Sequence, residues 1–135
     1  MTDVGVRVEN ARGVIEGWNA VFEALSAEPR RQLVVSLLDA PAGETVALPE
    51  SARNPNIPVT LEEFRLQLVH RHLPKLAENG FVDWEEDPLV ASRGPRFDEV
   101  AVVLEAIQEN SRDVPDSLVV GCQRLEQERQ ASIGD

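Results

Sequence analysis

Residues 60–83 read TLEEFRLQLVHRHLPKLAENGFVD, and no other stretch restricts the fold as tightly. Thr60 and Glu63 stand at the spacing of a capping box, in which each side chain satisfies the other's orphan backbone N–H at a helix start. Gly80 is the residue that enters a left-handed C-cap without strain. The spacing therefore predicts one helix over 60–79. At 100° per residue, Leu66, Val69, Leu73 and Leu76 fall within about 80° of arc and are expected to face the core. Leu61, Phe64 and Leu68 widen that stripe. The remaining arc collects Gln67, His70, Arg71, Pro74 and Glu78, with Lys75 at its border. Pro74 removes the bond to the His70 carbonyl and is expected to bend the helix.

The flanking segments follow the same logic. Val14, Ile15, Trp18, Val21, Phe22 and Leu25 recur at helical spacing as one apolar stripe. Ser26 is a candidate N-cap for a second helix, with Glu28 and Pro29 in its first turn and Leu33, Val34, Leu37 and Leu38 as its buried face. Pro41 and Gly43 end it. Thr45–Leu48 is compatible with a short strand, after which PESAR at 49–53 leaves room for about one turn of helix before Asn54-Pro55 breaks it. Phe81–Trp84 alternates apolar and polar residues, Glu86-Asp87-Pro88 is a turn, and Leu89–Ser92 returns as a second strand. From Pro95 the pattern is helical again, with Val100, Val103, Leu104 and Ile107 on one side and a break at 110–113. A last helix is expected from near Pro115, with Leu118, Val119, Cys122 and Leu125 on one side. The polar tail from Gln127 to Asp135 is expected to fray.

A chain of 135 residues is one domain, long enough for a modest core without covalent staples. It holds 24 acidic against 13 basic residues, and Lys75 is the sole lysine. Such acidic, lysine-poor, arginine-retaining composition suits a salt-filled cytoplasm, where carboxylates hold water and ions at the surface. A mesophilic acidic protein is the alternative. A single cysteine, Cys122, suits a reducing compartment. No apolar run reaches membrane-spanning length and the N-terminus lacks a signal-peptide pattern, so a soluble cytoplasmic protein without membrane association is expected.

Enzymatic readings have little support, because neither a nucleophile elbow nor a phosphate-cradling glycine loop is present. His70 and His72 form an H-x-H pair, but residues two apart on a helix point about 200° from each other and do not easily share one ion. No catalytic activity, metal or cofactor is expected.

Two segments carry a resemblance: LSAEPRRQLVVSLL at 25–38, and VHRHLPKLAENGFVD at 69–83. Both resemble the ArsR-like winged-helix regulators, and more closely the small haloarchaeal winged-helix proteins that carry an HLPKL segment. The resemblance covers roughly residues 18–108. It implies an α+β, mostly α, winged helix-turn-helix with a small antiparallel sheet and a C-terminal helix. The organisation would be an N-terminal segment at 1–13, a winged-helix domain at 14–110, and a C-terminal helix at 111–135 available for dimerisation. The implied function is sequence-specific transcriptional regulation in a halophilic archaeon, with double-stranded DNA as partner and a homodimer as the binding unit. The second half of helix 60–79 would enter the major groove, with Gln67, His70, Arg71 and Lys75 contacting bases or phosphates. Arg30, Arg31, Arg93 and Arg96 would grip the backbone, although a solvated helix face is an equal reading for Arg30 and Arg31.

Three features run the other way. The positioning helix usual in ArsR-like proteins shrinks here to PESAR. Residues 29–96 hold eight of the basic residues but also ten acidic ones, and a pI of 4.6 is not the basic footprint of a nucleic-acid binder. The candidate wing tip is Glu85-Glu86-Asp87. The alternative is a winged helix without DNA binding that serves as a protein-interaction or dimerisation module.

Overall fold

A computed structural model describes residues 2–119 and 122–133. Helices α1 (Thr2–Ala24) and α2 (Glu28–Asp39) lead into a two-residue strand β1 (Val46–Ala47) and a 3₁₀ turn at Glu50–Ala52. Helix α3 (Leu61–Gln67) continues through a π-helical turn, Leu68–His72, into α4 (Leu73–Glu78). The hairpin β2 (Val82–Glu86) and β3 (Leu89–Arg93) follows, then α5 (Phe97–Glu109), two 3₁₀ turns and α6 (Gln123–Ile133). The protein is thus α+β, mostly helical, with a three-stranded antiparallel sheet in the order β1-β3-β2. Among the described residues no helix is long and apolar enough to cross a membrane.

The stretch that predicted a single helix forms a continuous helical run, and its ends are locally determined. Thr60 Oγ1 accepts from the Glu63 N–H at 3.2 Å. At the other end Gly80 takes φ 75°, Gly80 N–H donates to the Ala77 carbonyl, and Phe81 N–H donates to Leu76. These are the two bonds of a Schellman motif, closed by Leu76 and Phe81, which are both fully buried.

The middle differs from expectation. Just ahead of Pro74 the ladder opens by one residue, so that Leu73 N–H bonds to the Leu68 carbonyl. The π turn therefore stands where a simple bend was expected, beside the proline that lacks a donor. The extra residue also shifts the phase of the stripe. Phe64, Leu68, His72, Leu73 and Leu76 are buried and Val69 is half-buried, whereas Leu61 and Leu66 are 47% and 54% exposed. The expectation that Leu66 faces the core is corrected by this shift.

The core gathers Leu33, Val34 and Leu37 of α2, the buried side of the Leu61–Glu78 run, Phe81, Val82, Leu89 and Ala91 of the hairpin region, and Phe97, Val100 and Leu104 around α5. In the hairpin Val82 faces Arg93 and Glu86 faces Leu89, with Asp87-Pro88 as the two-residue connection. Gly94 closes its base. A Cβ there would lie 2.4 Å from the Gly80 carbonyl oxygen, so only glycine allows the two chain segments to approach.

The ends of the chain depart from expectation in several ways. Residues 2–13 are helical and continue without a break into the rest of α1. Most of the stripe on α1 is uncovered, and only Val21, Ala24 and Leu25 are buried. Ser26 does not cap α2: its hydroxyl donates to the Glu23 carbonyl at 2.7 Å, and Ala27 takes the N-cap position without a side-chain bond. Helix α6 stays regular to Ile133 where fraying was expected, and residues 134–135 lie outside the described chain. It is fastened to its own chain. Arg124 makes a two-pronged bond to Asp39 at the end of α2, and Arg129 bonds Asp116 and the carbonyls of Ser111 and Val114.

Candidate nucleic-acid interface

The last four carbonyls of an α-helix have no partner within it, and a guanidinium carries five donors and no acceptor. Arginine is therefore well suited to close helix C-termini, where the macrodipole also favours positive charge. This chemistry decides where most of the candidate cations go.

Arg30 is the clearest case. Its side chain is 4% exposed; Nε donates to the Ala24 carbonyl at 2.7 Å, and Nη2 reaches the Glu23 carbonyl and Ser26 Oγ, each at 3.2 Å. Nη1 donates to His72 Nδ1 at 2.9 Å. Arg30 thus seals the end of α1 and joins it to the π turn, which corrects the expectation of a phosphate contact. Arg31 is exposed, but its Nη1 donates to the Leu25 carbonyl at 2.7 Å. Arg93 performs the same closure on α2, donating to the carbonyls of Leu37, Leu38 and Ala40 while its guanidinium stacks 5.1 Å from the Phe97 ring. Arg96 forms a two-pronged pair with Glu99, both bonds at 2.8 Å. Lys75 pairs with Glu23 and Glu78, and these bonds raise its pKa.

Three of the eight candidates remain. Gln67, His70 and Arg71 are exposed on the outer side of the helical run, and among the described residues none of their side chains makes a hydrogen bond or ion pair. They stand at i, i+3 and i+4 across the π turn, and all three are exposed. Two cations absent from the sequence expectation lie nearby in the chain. Arg65 is exposed on α3 and donates to the Glu86 carbonyl at 3.1 Å, tying the hairpin turn to the helix. Arg53 is exposed after the 3₁₀ turn and lines a shallow depression with Pro58, Val59, Thr60 and Glu63. Both were visible as basic residues but stood outside the resembling motifs. The same region is rich in carboxylates: Glu62 and Glu63 at the start of α3, and Glu85, Glu86 and Asp87 at the hairpin tip, are all exposed.

His72 carries the most perturbed titration in the site. Because Arg30 can only donate, Nδ1 must be the acceptor, which makes the ring neutral with its proton on Nε2. Burial, then the charges of Arg30 and Arg71, lower its pKa from 6.5 to about 4. His70 and His72 accordingly lie on opposite sides of the helix wall, one exposed and one buried. Among the described residues no group of three or more His, Cys, Asp or Glu is placed to hold a metal ion.

No family model, no curated protein and no solved structure matches this chain. What is shown is therefore the class alone: an α+β protein in which a capped helical run is followed at once by an antiparallel hairpin.

Proposed function

We propose that the chain is a winged-helix, sequence-specific DNA-binding transcriptional regulator, with the outer face of the Leu61–Glu78 run as its reading surface and β2–β3 as its wing. One contrast carries this reading. Arg30, Arg31, Arg93, Arg96 and Lys75 are engaged within the molecule, whereas Gln67, His70 and Arg71 present exposed side-chain donors with no internal partner. Amide, imidazole and guanidinium donors at helical spacing match the acceptors at purine edges and phosphates in a major groove. In a cytoplasm of high salt, repulsion from the acidic hairpin tip would be screened within about 3 Å at 1 M.

The test is fluorescence anisotropy with the protein's own upstream DNA and with random duplex, titrated from low to about 1 M KCl. Selective binding that Arg71→Ala weakens at least ~10-fold, with the fold intact by circular dichroism, is the expected result. Binding unaffected by Arg71→Ala would sink this choice of reading surface.

A second reading is a winged helix that binds protein rather than DNA. The carboxylates Glu62, Glu63, Glu85, Glu86 and Asp87 around the reading face favour it. Absence of DNA binding at every salt concentration, from a folded protein, would leave this as the better account.

A further inference from the structure

Helix α1 is 23 residues long, and none of residues 4–16 belongs to the core. Val4 (69% exposed), Val8 (47%), Ile15 (58%), Trp18 (51%) and Phe22 (60%) are all large, apolar and uncovered, and Ala11 between them is exposed too. The spacing from Val4 to Phe22 is 4-3-4-3-4, the a/d repeat of a two-helix seam. At 100° per residue these six side chains span about 80°. The packed face, with Ala20, Val21 and Ala24 against the core, lies on roughly the opposite side. Trp18 and Phe22 already stack on one another, with ring centroids 5.6 Å apart. No charged residue interrupts the stripe; Glu9, Glu16 and Glu23 sit more than a quarter-turn from its centre.

We infer that α1 is the interface for a second copy of this chain, paired antiparallel along the stripe from Val4 to Phe22. Two properties of the stripe select this occupant. The first is volume. When residues whose numbers total 26 are set opposite one another, Val4 meets Phe22 of the partner subunit, Val8 meets Trp18 of the partner subunit, and Ala11 meets Ile15 of the partner subunit. Every layer then sets a smaller side chain against a larger one, as close packing requires. A parallel pair in register would stack Trp18 and Phe22 on their own copies and leave a void between two Ala11 methyls. The second is charge. With Val8, Ile15 and Phe22 at a, Arg7 occupies a g position and Arg12 an e position. Parallel pairing would bring Arg7 and Arg12 together on both sides of the seam, whereas antiparallel pairing leaves one like-charge contact, Arg12 beside Arg12 of the partner subunit, and sets Arg7 near the Val21 position.

The exposed seam amounts to on the order of 500 Å² of apolar surface per protomer, and the flanking arginine stems bring it toward the roughly 800 Å² per partner of a standard interface. Each protomer carries a net charge of −11, so association tightens as salt screens the repulsion and strengthens apolar burial. This assignment does not rest on DNA binding.

Sedimentation equilibrium of the full chain tests it. At tens of micromolar in about 1 M KCl the protein is a dimer, while Ile15→Glu and Trp18→Glu are monomers with unchanged circular dichroism. A monomeric wild type under those conditions, or dimers of both variants, would overturn the interface. Register is read by cross-linking in a Cys122→Ser background. Proteins carrying Val8→Cys and Trp18→Cys form a mixed disulfide only when combined. Cross-linking of Val8→Cys to itself would overturn the antiparallel arrangement.

Discussion

The helical run Leu61–Glu78 and helix α1 both carry a continuous apolar stripe and have opposite fates. The first buries Phe64, Leu68, Leu73 and Leu76 almost completely, while the second leaves Val8, Ile15, Trp18 and Phe22 about half exposed or more. The local signals do not explain this, because an amphipathic pattern states that a helix has an apolar face and not what covers it. What differs is connection. The first run is bracketed by a Thr60 cap and a Schellman closure that feeds directly into the hairpin, so its stripe lies between α2 and the sheet. The second is closed at its C-terminal end by Arg30 and Arg31, where Val21 and Ala24 pack, and farther up it lines an open groove with Val102 and Val103 of α5. Its other face projects beyond the core.

Substitutions should separate the two helices sharply. Leu76→Ala removes a fully buried side chain and should cost about 2–5 kcal/mol in urea unfolding. Ile15→Ala, measured at a concentration where the protein is monomeric, should stay within about 0.5 kcal/mol of wild type. A large loss at Ile15 in the monomer would mean that α1 folds back on its own core, and the contrast would collapse.

The junction between the two helices should respond to pH. His72 has its pKa lowered to about 4 in the folded state by burial, then by Arg30 and Arg71, against about 6.5 when unfolded. The neutral ring therefore contributes stability that is complete above pH 6.5, is lost as pH falls toward 4, and changes no further below that. The shift corresponds to about 3 kcal/mol. His72→Asn, which retains an acceptor for Arg30, should flatten that part of the profile relative to wild type. An unchanged slope would show that other groups govern the acid limb. The smallest effect belongs to the cap: Thr60→Ala should cost about 1 kcal/mol, seen as a lower urea midpoint at constant slope.

Much of the hairpin and the long helical run was legible from neighbouring residues. Thr60 with Glu63, Gly80, and the Asp87-Pro88 turn each act over a few positions, so the sequence states them directly. The phase within the run was not legible. One extra residue at Leu68–His72 moves Leu66 outward and His72 inward, and periodicity alone does not announce a π turn. The candidate site divides in the same way. The exposure of Gln67, His70 and Arg71 follows from their place on the polar arc, but the pairing of Arg30 with His72 and of Arg93 with the carbonyls of Leu37, Leu38 and Ala40 joins residues far apart in sequence.

By itself, the sequence determined where the central helical run and the hairpin start and stop, because capping and turn chemistry are short-range. Tertiary structure decided which stripe is buried, which arginines are engaged, and which donors are left facing outward. Those outcomes depend on which helix ends and carbonyls are brought together across the fold. A guanidinium binds whatever unpaired oxygen lies within reach, and an apolar face packs on whatever surface arrives to cover it.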